Sequence, residues 1–287
     1  MSTPSVSTPS VSTPSVSTAS ARPRPGEAAN PAPPTVARVR LRFAKRGRLR
    51  FLSHRDVARS FERAVRRAAV PVSYSHGFNP HPRLSWVGAA PTGTASEAEY
   101  VEIGLTRPVD LDALVAALDS ALPAGLDVLD AAVAEGAPLA DRIDASRWRI
   151  ELPGVAPDRL AAALTALLAE TSVVVERITP AGRRTIDVRA ALVAAEVSPV
   201  AAEEPVPASG VGVSSGVGPE GVCAIMTAVV RQSTPAVRPD DVLGALDLVA
   251  GLTPPVPAKA TRMAQGLLDD RGHLADPFGS DRVTARS

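Results

Sequence analysis

Apolar residues in this chain switch between a period of two and a period near 3.6 in a set order, and the order recurs. Val39, Leu41 and Phe43 alternate with Arg38, Arg40 and Arg42, which predicts a strand with one apolar face and one arginine face. Gly47 allows a turn, and Leu49 and Phe51 resume the alternation, so a hairpin is expected there. Ser53 stands three residues before Asp56, as in a capping box. Val57, Phe61, Ala64, Val65 and Ala68 follow at helical spacing and predict an amphipathic helix that Pro71 ends. Residues 74–82 read as a Gly/Pro-punctuated loop, and 84–89 and 99–105 as strands. Asp110 caps a helix through Leu122, and 126–133 forms a last strand. The order β-α-β-β-α-β is that of a ferredoxin-like, split βαβ unit.

Residues 146–266 repeat the pattern. Strands are expected at 148–152, 172–178, 185–197, 222–230 and 258–265, and helices at 157–169 and 240–250. Residues 198–218, rich in Pro, Ser, Gly and Glu, read as a solvated insertion. The expected fold class is therefore α+β: two ferredoxin-like halves in tandem, at 36–135 and 146–266. Ahead of them lies a Pro/Ser-rich tail, 1–35, that opens with three copies of Ser-Thr-Pro-Ser-Val. Such a segment buries too little apolar surface to offset its ordering entropy, and disorder is expected. The polar residues 267–287 are expected to fray.

Composition narrows the function classes. The lone Cys223 excludes a disulfide framework and a cysteine-built zinc or iron–sulfur site within this chain. It sits in an apolar strand and reads as a small buried side chain. No run of about 18 apolar residues is present, and the N-terminus has neither a basic n-region nor an apolar h-region. A cytoplasmic protein with no membrane partner is expected. No Gly-rich phosphate loop precedes a helix, so nucleotide hydrolysis is not expected, and no cofactor is implied.

The net charge of +1 conceals an asymmetry. Residues 38–83 hold 13 Lys/Arg and two carboxylates, Asp56 and Glu62, whereas 84–287 hold 16 Lys/Arg and 27 acids. Arg55, Arg59, Arg63 and Arg66 recur along the helix face opposite Phe61, where like charges repel. Arg38, Arg40, Arg42 and Arg50 add charge of the same sign. A polyanion would neutralise this surface with counterion release, and arginine suits bidentate phosphate contact. The alternatives are pairing with the acidic second half or with a protein, and plain solvation of a basic face.

Seven of the nine aromatics fall in the basic half, and Tyr74, Phe78 and Trp86 are candidates for stacking on unpaired bases. Core packing explains each of them equally well. His54, His76 and His81 lie close in sequence, with Asn79 and Arg83 beside the loop pair. A histidine cluster suits acid–base chemistry or metal binding, yet no diagnostic metal spacing occurs, and loop-shaping or ligand-contact roles account for the same residues.

Arg50 to Asp56 (Arg-Phe-Leu-Ser-His-Arg-Asp), Phe61 to Ala64, Tyr74 to Pro82 (Tyr-Ser-His-Gly-Phe-Asn-Pro-His-Pro) and Glu99-Tyr100 together resemble the radical-SAM-linked family, the DUF2344 domain. The similarity runs over about 36–266. The proline-rich N-terminus, the 198–218 insertion and Arg55, where an apolar residue is usual, depart from the pattern. The resemblance implies a protein that occurs alone or fused behind a radical SAM enzyme, often encoded near ribonuclease and ribosomal protein genes. One cysteine cannot supply the Cys-x3-Cys-x2-Cys cluster of that chemistry. The implied role is that of a non-catalytic accessory that binds RNA while a radical SAM protein acts in trans. The expected RNA contacts are the arginines at 38, 40, 42, 50, 55, 59, 63, 66 and 83, with Tyr74, His76, Phe78, Asn79 and His81. The alternatives are a metal-free RNA-processing enzyme using His54, His76 or His81, and a protein-interaction adaptor.

Overall fold

The alternating run at the start of the ordered chain becomes strand β1 (Ala37–Lys45), but its two faces do not divide into core and solvent. Val39, Leu41 and Phe43 are buried, as alternation requires, and so are Arg40 and Lys45. Both faces of β1 are covered. A segment from the far end of the chain covers Arg40, whereas Lys45 is buried against Ala90 and Pro91 on the face of Phe43.

The structure, a computed structural model, describes residues 33–76, 78–179, 182–198 and 222–284. Most of the 1–35 tail, Gly77 in the loop and nearly all of the 198–218 insertion lie outside the described residues. After β1 come a 3-10 turn (Gly47–Phe51), α1 (His54–Arg67), β2 (Leu84–Val87), β3 (Ala95–Leu105), α2 (Leu111–Ala121) and β4 (Val128–Val133). A second 3-10 turn (Leu139–Arg142) leads to β5 (Ala145–Pro153), α3 (Pro157–Ala169), β6 (Val174–Thr179), β7 (Gly182–Asp187), α4 (Val188–Ala191) and β8 (Leu192–Ser198). Then follow β9 (Cys223–Arg231), α5 (Pro239–Ala250), β10 (Lys259–Gly266) and α6 (Gly279–Thr284). The α+β class read from the sequence holds. Among the described residues no helix is long and apolar enough to cross a membrane.

One eight-stranded sheet runs through both halves in the order β4-β1-β3-β10-β5-β9-β8, with β2 also on β3. Counted within its own half, each set of four strands follows the order 4-1-3-2. The long β3 takes two partners along one edge. Its first residues pair with β10 in parallel, Arg262 opposite Ser96, and its later residues take β2, Trp86 opposite Val101. The β3–β10 joint is the seam between the halves. Helices α1 and α2 cover the first half, where Phe43, Phe61, Val101, Ile103 and Leu118 form the core. Helices α3 and α5 cover the second, over Ile150, Leu152, Leu160, Leu164 and Met226.

Three stretches differ from the expectation. Leu49 and Phe51 do not form a hairpin strand. Gly47, at φ +54, starts a 3-10 turn that leaves Phe51 exposed. Residues 185–197 are not one strand, because Asp187 accepts a hydrogen bond from Ala190 N–H at 3.2 Å and caps the short helix α4 between β7 and β8. The segment after 267 does not fray over 267–284. It crosses back to the first half, where Phe278 is fully buried against Tyr100, ring centroids 5.6 Å apart. With Ala98, Ala132, Leu139 and Ile143 it makes a separate small core on the sheet face away from α1. Residues 285–287 lie outside the described residues.

Candidate nucleic-acid interface

Helix α1 begins where its sequence requires. Asp56 N–H donates to Ser53 Oγ at 3.3 Å, and Ser53 Oγ–H donates to Asp56 Oδ2 at 2.6 Å. That hydroxyl hydrogen bond holds the Asp56 carboxyl below the usual carboxylate range, and Arg59 and Arg55 act in the same direction. Val57, Phe61, Ala64 and Val65 are buried. Helical geometry then turns Arg55, Arg59, Arg63, Arg66 and Arg67 outward, and all five are exposed. Arg59–Asp56 and Arg66–Glu62 are 3.9 Å pairs in solvent, and Arg63 Nη2–H donates to Ser60 Oγ at 3.2 Å. Exposed pairs of this length contribute about 0–1 kcal/mol. The ridge remains essentially unneutralised.

The strand arginines behave otherwise. Arg38 stays exposed beside Glu102 at 3.6 Å, and Arg42 lies 3.9 Å from Asp130. Arg40 is 2% exposed. It donates to Asp281 at 2.9 Å, to Glu102 at 3.2 Å, and to the carbonyls of Glu135 at 3.2 Å and Ala137 at 2.7 Å. All three of its guanidinium nitrogens are engaged and it is buried, so Arg40 is withdrawn from any phosphate-binding surface. Arg142 joins it on Asp281 at 2.9 Å. The arginine face expected to meet an external anion is thus partly neutralised by the chain's own C-terminal segment.

The 74–83 loop is tied across its base. Ser75 N–H donates to His81 O at 2.9 Å, His81 N–H donates to Ser75 Oγ at 3.0 Å, and Arg83 Nε–H donates to Tyr74 O at 3.2 Å. Tyr74 packs against the first core, whereas Phe78 is 95% exposed and Asn79 is exposed. An exposed ring on a tied loop is available for stacking. Trp86 is not free in the same way: its ring meets Phe43 at 5.9 Å, Phe61 at 5.2 Å and His54 at 5.4 Å, edge to face each time. Arg50 lies 4.7 Å over the Phe51 ring.

The histidines are split by this arrangement. His54 opens α1 against Trp86, in the middle of β2. His76 and His81 precede β2 on the loop, and His76 Nδ1 lies 3.4 Å from Arg83 Nη2. All three are exposed, and among the described residues no hydrogen bond joins any two of them. No group of three or more His, Cys, Asp or Glu among the described residues is arranged to hold a metal ion.

A second polar cluster escaped the sequence reading. At the seam, Glu99 accepts a hydrogen bond from Arg262 and another, at 3.1 Å, from Ala90 N–H. Lys45 Nζ donates to the carbonyls of Ala90 and Pro91, each at 3.1 Å. Gln265 Nε2–H donates to Ala98 O at 2.6 Å. Lys45, Glu99, Arg262 and Gln265 are all buried. Burial lowers the Lys45 pKa, and the nearby Glu99 charge opposes that shift. Only Glu99 lay within a noted motif, and no local pattern signals that residues 45, 99, 262 and 265 meet.

No curated protein matches the chain. A family model described as an uncharacterised protein conserved in bacteria (DUF2344) matches residues 38–239, which hold α1, the 74–83 loop and Glu99 but stop short of β10. On a match over more than half its length, the chain belongs to the DUF2344 family.

Proposed function

We propose that this protein is a non-catalytic, cytoplasmic RNA-binding accessory, with the α1 arginine ridge as its phosphate contact and a radical SAM protein acting beside it in trans. The observation that carries the reading is the set of five outward arginines on α1 with, among the described residues, two long ion pairs to carboxylates. A concentrated cationic ridge with little local counter-charge gains most from replacing condensed counterions on a polyanion. The exposed Phe78 supplies a stacking surface for an unpaired base, and His76, Asn79, His81 and Arg83 stand on the same loop. Arg38, on the sheet face away from α1, adds positive charge beside His81 and Arg83 of the loop, and half-buried Arg50 stands in the turn before α1. The radical SAM association rests on the family resemblance in the 50–56 and 74–82 motifs. We read each half, 36–135 and 146–266, as a ferredoxin-like platform on the basis of its 4-1-3-2 strand order.

Fluorescence anisotropy with labelled RNA across a salt series tests the reading. Affinity falls linearly on a log–log plot, and Arg59→Glu with Arg63→Glu weakens it at every salt concentration. Binding that ignores salt, or that survives both charge reversals, defeats it.

A further inference from the structure

The sheet is covered by α1 and α2 on one half and by α3 and α5 on the other, and over the seam an open cleft of about 520 Å³ remains. That volume falls in the range of clefts that hold small organic ligands, about 300–1,000 Å³. Its lining combines Trp86, Trp148, Arg231, Arg238, Arg262 and Gln265. Among the described residues no carboxylate lines it.

A β-bulge builds the floor. On a regular strand Arg262 and Gln265, three residues apart, point to opposite faces. The ladder with β5 shifts between Arg262 and Ala264, which leaves Met263 unpaired. Arg262 then stands opposite Trp148 and Gln265 opposite Ser146, so both turn to the face that Trp148 and Ser146 share. A matching shift in the β1–β3 ladder between Phe43 and Lys45 brings Ser96 to the face that Lys45 and Glu99 already share. Gly88, at φ +55, completes the fit: a Cβ there would lie 2.6 Å from Gln265 Oε1.

The polar groups on the floor are only partly used. Arg262 gives Nη2 to Glu99 and Nε to Ser96 Oγ at 3.4 Å, and its Cζ lies 5.5 Å from the Trp148 ring centroid. Among the described residues its Nη1 has no hydrogen-bond partner. Gln265 gives Nε2 to Ala98 O, and its Oε1 likewise has no partner among the described residues. The floor therefore offers one donor and one acceptor on side chains that are 3% and 2% exposed. Two buried cations, Lys45 and Arg262, face one carboxylate, Glu99, and Arg231 and Arg238 stand exposed at the rim. Arg231 is held by Asp144 at 3.4 Å.

We infer that this cleft binds a nucleoside phosphate, its base against Trp86 and Trp148 with its polar edge on Arg262 and Gln265, and its phosphate at Arg238 and Arg231. Aromatic walls select a planar body, a donor–acceptor pair on largely buried side chains selects a heteroatom-bearing edge, and the cationic rim selects an anion. A simple carboxylate or phosphate satisfies only the last of these. The shared chemistry is that of a free nucleotide or of one nucleotide within an RNA strand.

The protein supplies its own reporter, because its two tryptophans both line the cleft. The full chain is titrated with the four nucleoside 5′-monophosphates, with the unphosphorylated nucleosides, with inorganic phosphate and with a short RNA, while tryptophan emission and melting temperature are followed. At least one monophosphate is expected to change the emission saturably and to raise the melting temperature, more tightly than its nucleoside or phosphate alone. Arg238→Glu, at an exposed position, weakens that binding about tenfold or more. Gln265→Leu, checked for folding by its melting temperature, also weakens it. If the site takes its nucleotide from RNA, the oligonucleotide produces the emission change and the same two variants abolish it. Charge reversal at Arg59 and Arg63 leaves mononucleotide binding intact, so failure of the α1 ridge and failure of the cleft are separate results. Emission indifferent to every nucleotide and to RNA overturns the inference, and so does a change that Arg238→Glu and Gln265→Leu leave untouched.

Discussion

Arg40 Nη1 lies 2.9 Å from Asp281 Oδ2, and the two residues are 241 apart in sequence. Asp281 is shared with Arg142, so one buried carboxylate holds two guanidinium groups and pins α6 to the first half. Removing one partner of a buried pair leaves uncompensated charge in a poorly solvated site. Asp281→Ala is expected to lower stability by about 3–5 kcal/mol in urea unfolding. Phe278→Ala, which empties the neighbouring apolar site against Tyr100, costs a similar ~3–5 kcal/mol.

Gly266 ends β10 directly beneath the returning segment, and a Cβ built on it falls on the Ala275 carbonyl oxygen. The contact is with backbone, so no side-chain rotation relieves it. Gly266→Ala is expected to cost about 1–3 kcal/mol and to loosen 267–284. Limited proteolysis reads this as earlier cleavage in that segment, with the 37–231 strands still protected.

The α1 ridge trades stability against binding. Arg63 has Arg59 and Arg67 four residues away and Arg66 three away, all the same sign. Arg63→Glu turns each repulsion into attraction, and each such pair is worth about 0.2–0.5 kcal/mol. The variant is therefore expected to melt higher than the parent while binding RNA less tightly. Single-stranded RNA held by the five α1 arginines gives a log–log salt slope of roughly −3.5, and the variant's slope is shallower. A thermal melt and a salt-series titration on the same samples check both signs.

Tyr100 is buried between the sheet and Phe278, and burial pushes its phenol up to about 12 from its ordinary 10.0. Arg42 and Arg262 oppose that shift, whereas Asp276 and Asp130 support it. Between these values the unfolded chain has lost a proton that the folded protein keeps, so stability falls as pH rises through the window. The contribution is fully present below pH 10 and gone above about 12. Melting temperature measured across that range should decline, and Tyr100→Phe should remove part of the slope.

Much of the fold is legible where periodicity is strong. The α1 box at Ser53 and Asp56, the helix at 157–169 and the buried stripe of Val39, Leu41 and Phe43 all stand as the spacing implied. The sequence reading failed at Leu49–Phe51, where two apolar residues alternate too briefly to commit the chain to a strand, and Gly47 turns it instead. It failed again at 185–197, where an Asp within an apolar run acts as a helix cap. The exposure of the α1 arginines was legible, because a helix surface is defined by local spacing. The exposure of Arg40 on β1 was misread.

Local spacing along the chain thus determined most of the elements, which side of α1 carries charge, and which family the motifs at 50–56 and 74–82 resemble. Only the tertiary structure decided which of those charges remain free. Alternation at 38–43 reads the same whether the arginine side meets water or a carboxylate 241 residues away. The buried cluster of Lys45, Glu99, Arg262 and Gln265 is likewise a product of two bulged ladders meeting at the β3–β10 joint. The physical reason is common to both. Burial of a charge depends on where its counter-charge arrives from, and that is settled by strand pairing and register rather than by neighbours in sequence.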